Sequence, residues 1–274
     1  MPHRQQGSAS RPGVVALLTD FGLDDPYVGQ MKAVLATRLP GGVLVDITHG
    51  VPPHDILAGA FFLDASLPWL PRGSVTAAVV DPGVGTSRRI VGLRIGERLV
   101  LAPDNGLVTL VCSRGAVDAA WDFPVPETAC ATFHGRDVFA PLAAALAGGA
   151  APDTLGRRID PATLCTLLGL DPVYEGERLH ARVLHVDRFG NLILNLRIED
   201  HAGAFRDAAH VELERPVVRP VARVSAYADL PRDGLGLLAG SQGSFELAMD
   251  RDSAARKTGL GPGDAVLLRL RGRA

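Results

Sequence analysis

The chain has 274 residues, 47% of them hydrophobic and 21% charged, with a formal net charge of −2. Those values exclude a disordered or fibrous protein and allow one large globular domain or two modest ones. Near-neutral charge and an aromatic content of only 5% argue against an electrostatic grip on nucleic acid or anionic membrane, and against a base-stacking surface.

Residues 1–13, MPHRQQGSASRPG, are polar and lack the apolar stretch of a secretory signal, so they read as a flexible tail. VVALLTD (14–20) reads as a buried strand, and DPYVGQMKAVLATRL as a helix entered through Pro26, with Asp24 or Asp25 as its cap. VLVDIT (43–48) is the next strand, and HDILAGAFFLDASLPWL the next helix, capped by Asp55. SVTAAVVD (74–81), RIVGLRI (89–95) and RLVLAP (98–103) are strands; NGLVTLVCSRG and GRDVFAPLAAALAGG (135–149) are helices. Apolar strands alternating with helices predict an α/β layered domain over residues 14–170 with a largely parallel sheet. From 171 to 274 the pattern is alternating strands with turn signals and few helices, which predicts a smaller, mostly antiparallel β-barrel or sandwich.

No run approaches the ~20 apolar residues of a membrane span. The three cysteines, Cys112, Cys130 and Cys165, form no C-x-x-C pair. They read as buried free thiols in a reducing compartment, and the chain as a soluble cytoplasmic protein.

Five segments carry candidate chemistry. VVDPGVGTSRR (79–89) lacks the lysine of a phosphate-binding P-loop and the third glycine of a dinucleotide fingerprint. A tight turn explains its glycines but not Asp81, an acid at the carboxyl end of a buried strand, where open α/β sheets place ligands. Asp20 stands at a second such end, and a carboxylate there suits a ribose diol. FHGRD (133–137) sets His134 at a helix entry on the same expected edge, beside an Arg136–Asp137 pair. DRFGNLILN (187–195) is good hairpin-turn chemistry, and its aromatic, amide and acid also suit an adenine. SQGSFELA (241–248) is a similar polar opening to a strand. DITHGVPPHD (46–55) mixes acids and histidines, but its spacing fits no compact zinc pattern, so no metal site is expected.

Together these segments, with TDFGLDDPYVGQMKAVL and LAPDNGL, resemble the S-adenosyl-L-methionine hydroxide adenosyltransferases, relatives of the fluorinase and chlorinase. The resemblance implies an amino-terminal α/β domain and a carboxyl-terminal β-barrel, assembled as a homotrimer with sites at subunit interfaces. It implies hydrolysis of S-adenosyl-L-methionine to adenosine and L-methionine, with no cofactor. The water-handling positions fall on Asp81, Arg88 and His134, and the ribose carboxylate on Asp20. Phe189 and Asn191 match adenine contacts, Asp187 the position that grips the methionine amino group, and Ser241 one near the methionine carboxylate. Asp81 and Gly135 replace a tyrosine and a serine of the fluorinase, Gln242 an arginine, and His54 a tryptophan. These departures favour water over halide as the nucleophile. In the expected mechanism Arg88 and His134 stabilise a developing hydroxide while Asp81 orients it. A halogenase and a non-catalytic binder of adenosyl ligands are the alternatives.

Overall fold

The computed structural model describes residues 12–115 and 117–272, so most of the tail expected over 1–13 lies outside the described residues. The chain divides into two compact units, one ending at Thr166 and the other beginning at Leu167.

In the first unit, β1 (Val14–Thr19), α1 (Tyr27–Arg38), β2 (Val43–Thr48), α2 (Ile56–Ser66) and β3 (Val75–Val79) follow in order. The hairpin strands β4 (Ile90–Ile95) and β5 (Arg98–Pro103) come next, then α3 (Thr109–Ser113), β6 (Ala119–Phe123), α4 (Ala140–Ala147) and β7 (Arg157–Ile159). The seven strands lie in the order β2-β1-β3-β5-β4-β6-β7. The first four are mutually parallel; β4, β6 and β7 extend the sheet antiparallel. β1 is apolar almost throughout because both its faces are covered. Val15 and Leu17 pack with Met31, Leu35, Phe139 and Ala143 on one side, while Ala16 and Leu18 pack with Ala58, Leu63 and Leu107 on the other.

The helix ends differ in how they are held. Asp55 caps α2, accepting from the Ala58 amide at 2.9 Å. Neither Asp24 nor Asp25 caps α1: its amino end has no side-chain cap, and both acids are exposed. Pro26 stands at that cap position, and its ring lacks the N–H that a capped turn would otherwise need to satisfy. The helix expected over NGLVTLVCSRG shrinks to the five residues of α3.

The second unit contains β8 (Val173–Glu175), β9 (Arg178–Val186), β10 (Leu192–Arg197), α5 (Ile198–Asp207), β11 (Ala208–Arg215) and β12 (Arg219–Arg223). It continues through β13 (Leu235–Ala239), β14 (Ser244–Met249), α6 (Ala254–Thr258) and β15 (Ala265–Gly272). The order β10-β14-β13-β12-β11-β15-β9 closes on itself through the β9–β10 pairing, giving a seven-stranded barrel with β8 as an appended edge. Within this unit only β12 and β13 pair in parallel among the described strands. Leu192, Leu194, Leu196, Leu237, Phe245 and Leu247 fill the interior. The ten-residue α5 departs from the expected scarcity of helices here. Its Ile198, Ala202 and Phe205 pack on the barrel core at helical spacing. Among the described residues no helix is long and apolar enough to cross a membrane.

Candidate active site

β1 and β3 run parallel with Thr19 paired to Val79, so the chain leaves the sheet at Asp20 and Asp81 on the same edge. That is the carboxyl edge, where open α/β sheets bind ligands. Asn105, from LAPDNGL, holds the exit of β3 in place: its amide nitrogen donates to Val80 O at 2.9 Å, and its side-chain oxygen accepts from the Leu107 amide.

The turn after Asp81 brings back Arg88, whose Nε lies 2.6 and 2.8 Å from the two Asp81 carboxylate oxygens. Nη2 donates to the second of them as well, making a forked ion pair whose two side chains are 8% and 4% exposed. Arg88 Nη2 also lies 2.8 Å from Nδ1 of the buried His134. A guanidinium nitrogen can only donate, so His134 Nδ1 accepts and its proton resides on Nε2. Burial, and then the charge of Arg88, hold the His134 pKa below its ordinary value, against weaker opposing effects of Asp81 and Asp137. The imidazole is therefore neutral around neutrality. The remaining guanidinium nitrogen, Nη1, is buried with no partner among the described residues.

Two loops must meet for this contact to form. Gly85 has φ 80°, and a β-carbon there would come within 2.6 Å of Ala131 O. The glycine turn is thus pressed backbone to backbone against the segment leading to His134. Arg89 turns elsewhere: it donates to Asp104 and to Thr163 O, while Asp104 accepts from the Cys165 amide at 2.8 Å. Of the two adjacent arginines, one belongs to the site and the other fastens the chain after β7.

Asp20 Oδ2 accepts from the His54 amide at 2.9 Å. His54 adopts φ 67° to reach it, while its ring stays largely exposed. The rings of Phe21, Tyr27 and Phe133 pack at centroid distances of 5.1–5.9 Å, tying the loop after Asp20 to the loop before His134. Arg136 stacks on Phe133 and donates to Asp137 and to Gln30 Oε1. Gly135 is buried where a β-carbon would lie 3.0–3.2 Å from Phe133, Phe21 and Met31. A larger residue there would displace the aromatic cluster.

In the second unit Asp187, Phe189 and Asn191 share the hairpin between β9 and β10. Asp187 Oδ1 accepts from the amides of Phe189 and Asn191, and Oδ2 accepts from Asn191 Nδ2, each at 2.9 Å. This shapes the turn and leaves the Phe189 ring 78% exposed. Ser241 is exposed in the turn closed by the Gly240 amide donating to Ser244 O at 2.9 Å.

Two residues not singled out in the sequence join that region: Tyr227 donates its hydroxyl to Glu246, a buried acid within β14. The signal was a lone charge in an otherwise apolar strand.

The cysteines correct an expectation. All three are free, but Cys130 and Cys165 are exposed, since both lie in loops. Only Cys112 is partly covered, and burial, with a contribution from Asp104, pushes its thiol up to about 11. Among the described residues no group of three or more His, Cys, Asp and Glu is arranged to hold a metal ion.

Residues 15–156 match the model of the SAM hydroxide adenosyltransferase N-terminal domain, and residues 181–267 that of the corresponding C-terminal domain. The chain belongs to the SAM hydroxide adenosyltransferase family. Within this family it is 42% identical over 266 residues to the (R)-S-adenosyl-L-methionine hydrolase of Thermus thermophilus, covering 93% of this chain and 98% of that protein. It is 39% identical to the protein of the same name from Salinispora arenicola, over 94% and 98% of the two chains. A fluorinase of Nocardia brasiliensis is more distant, 29% identical over 69% of this chain and 73% of its own. Among solved structures, an uncharacterized conserved protein from Thermotoga maritima superposes with a TM-score of 0.84 at 30% identity, covering 93% and 99% of the two chains.

Proposed function

We propose that this adenosyltransferase-family chain hydrolyses S-adenosyl-L-methionine to adenosine and L-methionine by attack of water at C5′. The observation that carries the reading is the buried Asp81–Arg88–His134 cluster at the carboxyl edge of the sheet, with Arg88 Nη1 unpartnered among the described residues. The sulfonium leaves as the neutral thioether of methionine, so the leaving group needs no acid. The nucleophile is the difficulty. Arg88 Nη1 and His134 Nε2–H are donors for the oxygen of an attacking water, and Asp81 keeps lone pairs to accept one of its protons. As the C5′–O bond forms, the C5′–S pair passes to sulfur and the oxygen becomes strongly acidic. The Asp81 carboxylate then suffices to receive the proton and release it to solvent. In-line positioning supplies much of the rate.

The halogenase alternative is disfavoured by the same group. An acceptor carboxylate serves a nucleophile that carries a proton, and a halide carries none.

We assign Asp20 to the ribose hydroxyls, Asp187 to the methionine ammonium, Phe189 and Asn191 to adenine, and Ser241 to the methionine carboxylate. The chain is proposed to act as a homotrimer whose sites combine first-unit residues of one subunit with second-unit residues of a neighbour. The reaction as proposed uses neither metal nor cofactor. Three free thiols suit the reducing cytoplasm, where we place it.

Purified protein treated with chelator is incubated with each sulfonium epimer of S-adenosylmethionine, and products are separated by chromatography. Equimolar adenosine and methionine are expected, the relatives' names pointing to the (R) epimer as the better substrate. Asp81→Ala is expected to lower turnover by about 10³-fold. No adenosine from the wild type, undiminished release from Asp81→Ala, or a chloride-dependent 5′-halonucleoside would each reject the reading.

A further inference from the structure

Glu246 is not used by the chemistry above, yet its environment is unusual. It lies in β14, a strand buried at every position, between Phe245 and Leu247, which face the barrel interior. Glu246 therefore faces outward, paired across the sheet with Leu238 of β13 and Ile193 of β10, and is still only 4% exposed. Burying a carboxylate among apolar neighbours is costly unless it is well partnered, and an apolar side chain would serve the strand better.

Its neighbours border the substrate-binding assignments. One oxygen accepts the Tyr227 hydroxyl. The other is packed against Gly240, where a β-carbon would come within 2.7 Å of Oε2, so glycine opens the turn that carries Ser241. The charge of Asp187 also reaches both Glu246 and Tyr227. Burial first, with a contribution from Asp187, raises the Glu246 pKa, and burial with Glu246 itself raises that of Tyr227. Tyr227 keeps its ring half in solvent while its hydroxyl is tied down.

We infer that Glu246 is a positioning residue for substrate binding: by holding the Tyr227 hydroxyl and seating the Gly240–Ser244 turn, it fixes both against the Asp187–Asn191 hairpin. This rests on the hydrolase reading for its ligand, but it concerns affinity and leaves the Asp81–Arg88–His134 chemistry alone. A residue acting in this way changes KM and spares kcat.

The test compares wild type, Glu246→Ala, Glu246→Gln and Tyr227→Phe in steady-state hydrolysis, in calorimetric binding of adenosine, and in thermal unfolding. Glu246→Ala and Tyr227→Phe are each expected to raise KM and the adenosine Kd about tenfold, the value of one hydrogen bond to a charged group, with kcat within about twofold. Glu246→Gln, whose amide oxygen still accepts the hydroxyl, is expected to stay within about threefold of wild type in both. If Glu246→Ala does not fold, Tyr227→Phe against Glu246→Gln decides. Folded variants with unchanged KM and Kd overturn the inference. So does a loss confined to kcat, or a Glu246→Gln as impaired as Glu246→Ala. A wild type that binds adenosine but releases none from S-adenosylmethionine rejects the hydrolase reading alone, and the Kd comparison still decides the role of Glu246. A wild type that neither binds nor turns over rejects both.

Discussion

Arg88 makes two kinds of contact at once, and the second sets the tautomer of His134. Its fork holds Asp81 as a carboxylate partner, and the nitrogen it shares with His134 forces that imidazole to accept at Nδ1. Protonating His134 would remove the acceptor and place a cation against the guanidinium. The His134 pKa is already held below the ordinary 6.5, so the neutral form is the one the fold favours. The sign follows: this contribution to stability is present above the unfolded value and is lost as pH falls through the lower, folded one. In the profile of kcat/KM against pH, the acid limb is therefore expected to lie below 6.5 and to vanish in His134→Asn. A limb above 6.5 would contradict the tautomer assigned here. The residue identities at this centre were legible in the sequence, since acids at strand ends and a family motif mark them. The tautomer and the unpartnered Nη1 were not, because both depend on side-chain rotamers over a span of 46 residues.

At the scale of elements, strands rich in β-branched and aliphatic residues are legible within a residue or two: VLVDIT matches β2, and RIVGLRI and RLVLAP enclose β4 and β5. The two-residue Gly96–Glu97 turn joins β4 and β5, with Ile95 paired to Arg98 and Gly96 at φ 57°. α5 is not apparent in the sequence, although it carries acids in its first turn and Arg206 in its last, because strand-like runs flank it on both sides. The Gly83–Thr86 turn shows what an element does for the site. Its amides and the Thr86 hydroxyl donate to Asp81 O and Gly83 O, curling the chain so that Arg88 returns to Asp81. Gly85→Ala forces a β-carbon into both a left-handed backbone and the Ala131 carbonyl. It is expected to cost about 1–3 kcal/mol in chemical denaturation. Turnover should fall about 10²-fold through displacement of Arg88 from His134, in the kinetics of the folded variant.

At the scale of the molecule, Asp81, Arg88, His134 and Asp20 all lie in the first unit, whereas Asp187, Phe189, Asn191, Ser241, Tyr227 and Glu246 all lie in the second. The proposed trimer joins a first unit to a neighbour's second, and this predicts complementation. Asp81→Ala and Asp187→Ala chains, each inactive alone, should regain activity when unfolded together and refolded as mixed trimers; a mixture that stays inactive would count against shared sites.

What the sequence determined by itself is the layered α/β unit, the β-rich second unit and the residue types at the sheet edge. Those follow from local periodicity, turn chemistry and strand ends, which are written over a few neighbouring residues. The tertiary structure alone decided that the barrel closes through β9 and β10, and that one nitrogen of Arg88 bridges Asp81 and His134 while Arg89 turns to Asp104. It also decided that a buried glutamate anchors Tyr227. Each of these is a pairing between groups distant in the chain, selected by what burial leaves within hydrogen-bonding reach, and no local pattern carries that choice.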